Sequence, residues 1–199
     1  MKRSFFIYSF AILIIIYFLL FPFWLNLSIS MNKEDIIIKE PGLTLDLSLR
    51  IALIGDIHLP DTEEDYDRLS ALLDDINQEE TDIIIFAGDY TSSPKKIADM
   101  ADHRSRIVEL LTKDNLAKKI FVLGNYESWS NPEAWAKEFK LQNAKLLENE
   151  FHKFQVKDQF ICIRGFGDYY TRKYNYFEFP KDCDKQVKFS VTHDPAGAF

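Results

Sequence analysis

The chain has 199 residues, 47% of them hydrophobic and 28% charged, enough for one globular domain with an appendage and too apolar for a disordered chain. From Asn32 onward, 22 Lys and Arg face 31 Asp and Glu, a formal balance of −9. That argues against broad nucleic-acid binding, which needs a basic surface, and suits a site whose carboxylates hold cations. The two cysteines, Cys162 and Cys183, make no disulfide framework, say little about redox compartment and lack the close spacing of a thiolate metal pair.

Phe5 to Leu25 is a run of 21 residues broken only by Ser9 and Pro22, with no charge between Ser4 and Asn32. At about 1.5 Å per residue it is long enough to cross a bilayer core of about 30 Å. Trp24 sits where an interfacial anchor belongs. The rival is a cleaved signal peptide, but no small-x-small site follows, and Asn26 to Ser30 matches one poorly. Residues 1–31 are therefore expected to be a single-pass transmembrane anchor and residues 32–199 a globular domain. Lys2 and Arg3 favour an N-terminus in the cytoplasm, yet Lys33 and Lys39 balance them, so the side of the domain stays open.

Glu34 to Lys39 and Thr44 to Leu49 read as strands around a Pro41-Gly42 turn. Leu49 to Asp56, LRIALIGD, reads as a buried strand of a parallel sheet. Glu64 to Gln78 is predicted to be a helix with Tyr66, Leu69, Leu73 and Ile76 on one face and a solvated acidic face including Asp67, Asp74 and Asp75. Asp82 to Ala87 is the next buried strand, Lys95 to Leu111 a helix, and Lys119 to Leu123 a third buried strand. Asn131-Pro132-Glu133 is a helix start, with a cap, a proline in the first turn and an acid near the positive end; Trp135 and Phe139 give that helix its apolar stripe. Phe151 to Val156 and Gln159 to Arg164 form a hairpin around Lys157-Asp158, and Val187 to Thr192 is the last strand. Strands alternating with helices and followed by a hairpin imply a layered α/β sandwich.

Four of these strands end in groups that bind metal. Asp56 and His58 follow the first; two apart, they share a side if the chain there is extended. Asp89 follows the second, Asn125 the third and His193 the last. Oxygen ligands mixed with imidazole suit Mn, Fe, Zn or similar divalent ions. Gly55, Gly88 and Gly124 stand beside three of the clusters and allow close approach. Gly-Asp is also a common turn signal, so each cluster alone fits a strand end that merely caps a turn. The other two of the four histidines, His103 and His152, fall in a helix and a hairpin and read as ordinary surface or satisfied side chains. Asp168 to Lys173 reads as a polar, aromatic surface loop, or one bringing Arg172 or Lys173 to a phosphate.

Asp56-Ile57-His58, Gly88-Asp89, Gly124-Asn125-Tyr126-Glu127 and Thr192-His193-Asp194-Pro195 resemble, in order and spacing, the first four blocks of the calcineurin-like metallophosphoesterases. The anchor followed by LRIALIGDIHLP resembles that superfamily's bacterial membrane-associated branch, with phosphodiesterase-like enzymes and pyrophosphatases of UDP-diacylglucosamine. The resemblance implies a metallophosphoesterase-type layered β-sandwich flanked by helices. It implies a hydrolase with two divalent metal ions acting on a phosphodiester, phosphomonoester or pyrophosphate, in a phosphorylated small molecule or a lipid-linked phosphate at the bacterial inner membrane. Asp56 and His58 would hold the first metal, Asp89 would bridge, and Asn125 and His193 would hold the second. Together the ions lower the pKa of a water that attacks phosphorus.

The chain departs from the family pattern at two points. Tyr126 stands where the family has a histidine that assists the leaving group, and a phenol donates a hydrogen bond but gives up its proton reluctantly at neutral pH. The family's closing Gly-His-x-His block does not occur before Phe199, so the chain reads as C-terminally truncated, lacking its last strands, with Val187 to Thr192 an exposed edge. The alternative to an active enzyme is a non-catalytic, membrane-tethered module that binds metal or phosphate.

Overall fold

A computed structural model describes residues 32–34, 36, 48–94, 100–113 and 116–198 of the chain. The chain divides into two units, 1–38 and 39–199, and the second carries all the described strands and helices. The expected membrane span at 5–25 lies outside the described residues, as do most of the two strands expected between 34 and 49. Among the described residues no helix is long and apolar enough to cross a membrane.

Four parallel strands form the first sheet: β1 (Ile51–Ile54), β2 (Ile83–Phe86), β3 (Lys118–Phe121) and β4 (Lys145–Leu146), in that order. The helices between them are α1 (Glu63–Gln78), α2 (Ala101–Thr112), the short α3 (Asn125–Ser130) and α4 (Pro132–Leu141). The chain then builds a second sheet. β5 (Glu150–Val156) and β6 (Gln159–Gly165) make an antiparallel hairpin, and β7 (Val187–Val191) joins β6 in parallel.

Period-two alternation assigns the two faces of the first sheet. Ile84, Phe86, Phe121 and Leu123 point to the helices and meet Tyr66, Leu69, Ile107, Leu111, Trp135 and Phe139. Ile83, Ile85, Ile120 and Val122 point the other way and pack on Val156, Ile161, Ile163 and Val191 of the second sheet. Among the described residues the order is therefore helices, sheet, sheet, with helices on one side only rather than on both. Phe86 stacks on Phe121 at 4.8 Å between ring centres, and Phe139 lies 4.7 Å from Phe121. Asn131 caps α4 by accepting from the Ala134 N–H at 3.0 Å, as its sequence predicts.

One expectation is corrected. The first strand is not buried on both faces. Ala52 and Ile54 pack toward the helices, but Ile51 and Leu53, in register with Ile83 and Ile85, are exposed, Leu53 by 71%. Among the described residues, the core cluster shared with the second sheet does not include Ile51 or Leu53. Of the helix expected from Lys95 to Leu111, residues 95–99 lie outside the described residues and Ala101–Thr112 is helical. Of the two readings of His103, surface or satisfied, the structure bears out the second: it is buried, with its Nδ1 on Tyr66 and near Asp61.

The structure also pairs the two cysteines. Cys162 on β6 and Cys183 in a 3-10 turn (Lys181–Cys183) form a buried disulfide with Cα atoms 6.1 Å apart. Sequence alone leaves them unassigned because their approach depends on β7 returning beside β6.

Candidate metal centre

The carboxyl ends of β1, β2 and β3 open onto one place, where an open α/β sheet puts its ligands. The loops beyond these strand ends are tied together by their backbones. Asp56 N–H donates to Gly88 O (3.1 Å), His58 N–H to Asp89 O (2.9 Å) and Leu59 N–H to Tyr90 O (2.9 Å). Gly88 lies in the left-handed region at φ 91°, and a β-carbon there would come within 2.4 Å of the Gly124 nitrogen; one on Gly124 would meet Asp89 Oδ1 at 2.2 Å. These glycines let the second and third loops touch.

Asp56 and His58 do converge, but not because the chain is extended. Both are left-handed, at φ 52° and 43°, and Asp89 shares that conformation at 54°. Non-glycine residues held this way cost on the order of 1–3 kcal/mol each and cluster at functional sites. Here they turn three polar side chains inward together.

Asp56, His58 and Asp89 each offer one atom to a group spanning no more than 4.8 Å. His58 Nε2 lies 3.6 Å from Asp56 Oδ1 and 3.6 Å from Asp89 Oδ2. On the other side of Asp89, His193 Nε2 lies 3.5 Å from Oδ1 and 3.0 Å from Asn125 Oδ1. The structure thus gathers all five residues from the four strand ends, with one oxygen of Asp89 facing each imidazole.

The donor chemistry of the second group fits a cation. His193 Nδ1–H donates to the Ala87 carbonyl at 2.8 Å, so Nε2 is the ring nitrogen turned to Asn125 and Asp89. Nε2 of a neutral imidazole, Asn125 Oδ1 and Asp89 Oδ1 are the donor atoms a divalent cation takes, and they meet here within about one ion's reach of one another. Burial pushes the Asp89 carboxyl above the usual carboxylate value, against the Tyr126 N–H, His193 and His58, which favour its charged form.

Glu127 is the residue whose role the sequence leaves unread. It is fully buried on α3 and accepts backbone N–H groups from Asp89 (2.9 Å), Tyr90 (2.8 Å) and Gly124 (3.0 Å). One carboxylate so fixes both loops that carry Asp89 and Asn125. Burial raises its pKa to about 7, against the stabilising N–H groups. Its place in Gly-Asn-Tyr-Glu is visible in the sequence, but its partners lie up to 38 residues away.

Tyr126 carries its N–H to Asp89 Oδ1 at 2.9 Å and sets its ring edge-on to His58, 4.5 Å between centres. Beneath the first loop, Tyr66 O–H donates to Asp61 at 2.6 Å and receives from His103 Nδ1. Burial lowers the His103 pKa, opposed by Asp61. His152 stays at the hairpin, stacked on Phe154 5.4 Å away, and takes no part in the centre.

The sequence model of the family described as calcineurin-like phosphoesterase matches residues 49–197, a span that contains all five residues. No curated protein matches the chain. Among solved structures, a protein assigned as a 5′-nucleotidase from Staphylococcus aureus, in complex with alpha-ketoglutarate, is similar at 19% identity and a TM-score of 0.40, over 58% of this chain and 28% of that one. A 5′-nucleotidase precursor from Thermus thermophilus is similar at 17% identity and a TM-score of 0.43, over 62% of this chain and 29% of that one. The chain thus spans under a third of the length of either neighbour.

Proposed function

The chain belongs to the calcineurin-like phosphoesterase family, whose members bind two divalent metals, and on that premise we propose that it hydrolyses phosphate esters at the strand-end centre. Asp56, His58 and Asp89 would hold one ion, and Asp89, Asn125 and His193 the other. The observation that carries this reading is the pair of Asp89 oxygens, Oδ2 3.6 Å from His58 and Oδ1 3.5 Å from His193, which places Asp89 in both donor sets. Two divalent ions bound there supply charge neutralisation on the phosphate and a water of lowered pKa.

The remaining work falls to the chain's own groups. The Ala87 carbonyl holds the proton of His193 on Nδ1 and keeps Nε2 directed inward. Glu127 keeps the Asp89 and Asn125 loops in register. Tyr126, beside His58, presents a hydroxyl able to donate to the leaving oxygen. It adds no positive charge there, so turnover is faster for esters with good leaving groups.

The test is hydrolysis of bis-p-nitrophenyl phosphate by the full chain with Mn²⁺. The reading expects metal-dependent turnover that Asp89→Ala abolishes. Equal background rates in both proteins would end it. The phenol at Tyr126 favours a second reading, a non-catalytic metal- or phosphate-binding module. That reading gains if Mn²⁺ binds in an Asp89-dependent way with no turnover.

The anchor and its branch belong to the same proposal. The apolar run 5–25 tethers the domain to the bacterial inner membrane, where lipid-linked phosphates become accessible as substrates. The Cys162–Cys183 disulfide favours an oxidising compartment, and hence the orientation in which Lys2 and Arg3 stay in the cytoplasm and the domain lies outside. Alkylation of the thiols in intact cells, with and without prior reduction, tests that orientation.

A further inference from the structure

A line of aromatic rings leaves the metal centre. Tyr126 touches His58 at 4.5 Å between ring centres, Trp129 lies 5.7 Å from Tyr126, and Tyr170 stands edge-on to Trp129 at 5.6 Å. The line ends at an open pocket of about 590 Å³ walled by Tyr169, Tyr170 and Tyr174, with Arg172 and Asp194 on its lining. Asp194 directly follows the site residue His193, so the pocket adjoins the centre on that side too.

These rings are not core. Trp129 is 51% and Tyr170 66% exposed, whereas Trp135, one helix on, is wholly buried. Single exposed aromatics are ordinary, but a touching series that runs from a catalytic centre into a pocket is a surface with a use. Both ends of the series are held firmly. Trp129 rides on α3, which Glu127 pins to the metal loops. Tyr170 rides on a loop closed by Asp168, whose carboxylate accepts the Thr171 N–H at 2.7 Å and whose carbonyl accepts the Lys173 N–H at 3.0 Å.

We propose that this shelf and pocket form a leaving-group subsite, in which a planar heteroaromatic ring of the substrate stacks on Trp129 and Tyr170 while its phosphate lies at the metal centre. The inference rests on the hydrolase reading for the position of the phosphate. Its chemistry comes from the wall. Aromatic faces take planar π-systems without demanding a particular base. The Arg172 guanidinium, which no carboxylate pairs with among the described residues, and the Asp194 carboxylate offer a donor and an acceptor to polar ring edges. A saturated acyl chain would leave those charged groups and the tyrosine hydroxyls poorly matched.

The probes are adenosine and ribose, then AMP and ribose 5-phosphate, which share the same primary-alcohol ester oxygen and differ in the base. With the full, metal-free chain, saturation-transfer NMR is expected to show adenosine binding and no ribose binding. Trp129→Ala and Tyr170→Ala weaken adenosine by about tenfold each, and Trp129→Phe and Tyr170→Phe restore most of it. With Mn²⁺, the kcat/KM ratio of AMP to ribose 5-phosphate exceeds one and falls by about tenfold in either alanine variant. Adenosine binding unchanged in both alanine variants, or no preference for adenosine over ribose, would overturn the subsite. If neither phosphate is turned over while adenosine binding still depends on Trp129 and Tyr170, the hydrolase reading fails and the aromatic site stands.

Discussion

The metal end of the site and its aromatic end are built by different means. At the metal end, three residues sit in left-handed backbone, two glycines are pressed against neighbouring loops, and a buried carboxylate collects three N–H groups. Small side-chain changes there meet backbone, so the geometry is over-determined. At the aromatic end, exposed Trp129 stands on α3, and exposed Tyr170 on a loop that lies between the disulfide-bonded Cys162 and Cys183. Chemistry that must hold two charges a few ångströms apart uses the first kind of construction. The proposed leaving-group subsite is built in the second way.

Breaking the metal end has the largest expected effect. Asp89→Asn keeps the shape and removes a charge from both metal groups. The expected loss is on the order of a thousandfold in kcat/KM with bis-p-nitrophenyl phosphate, equivalent to several kcal/mol of charge stabilisation. Glu127→Ala acts one step back. It leaves three buried N–H groups to find new partners, at about 1–3 kcal/mol for each that fails, and Mn²⁺ affinity falls by about 10- to 100-fold. Urea unfolding read beside an Mn²⁺ titration checks both, and Glu127→Gln is expected to recover part of each.

The aromatic end should break separately. The paired change Cys162→Ser with Cys183→Ser frees a cross-link of 21 residues' separation and is expected to cost about 3 kcal/mol in urea unfolding. Mn²⁺ affinity is expected to stay within about twofold, because Asp56, His58, Asp89 and Asn125 lie on other loops and His193 is held by the β6–β7 pairing and the Ala87 carbonyl. A parallel collapse of metal affinity would show that the two ends are one cooperative unit.

A smaller effect concerns His103, beneath the first metal loop. Its pKa is lowered in the folded chain, so the unfolded chain binds the proton more readily. The stability this contributes is present above the ordinary histidine pKa of about 6.5 and is lost as pH falls below it. Thermal midpoints between roughly pH 7 and 5 should therefore fall more steeply in the wild type than in His103→Gln. The smallest effect is at Leu53. Its exposure predicts that Leu53→Thr changes stability by no more than about 0.5 kcal/mol, which separates the uncovered edge of β1 from the buried strands beside it.

The same division explains what sequence could and could not reveal. Ile83 to Phe86 is buried on both faces, and such strands read as unbroken apolar runs. Their abrupt ends at Gly88-Asp89 and Gly124-Asn125 point to the centre directly. The convergence of Asp56 and His58 was legible, but its cause was not, because an extended chain and a left-handed turn both bring them to one side. Glu127 was visible as a motif letter and silent as a clamp, since its partners are backbone groups of distant loops. The disulfide, the burial of His103 and the exposure of Leu53 depend on which elements lie beside which, and no local pattern carries that.

The central claim is that Asp89 joins two metal groups at the strand ends. Calorimetric titration of the full chain with Mn²⁺, compared with Asp89→Ala, tests it most directly. The account predicts two ions per chain in the wild type and loss of both high-affinity events in the variant. Binding of the same number of ions with the same affinities in Asp89→Ala would contradict it.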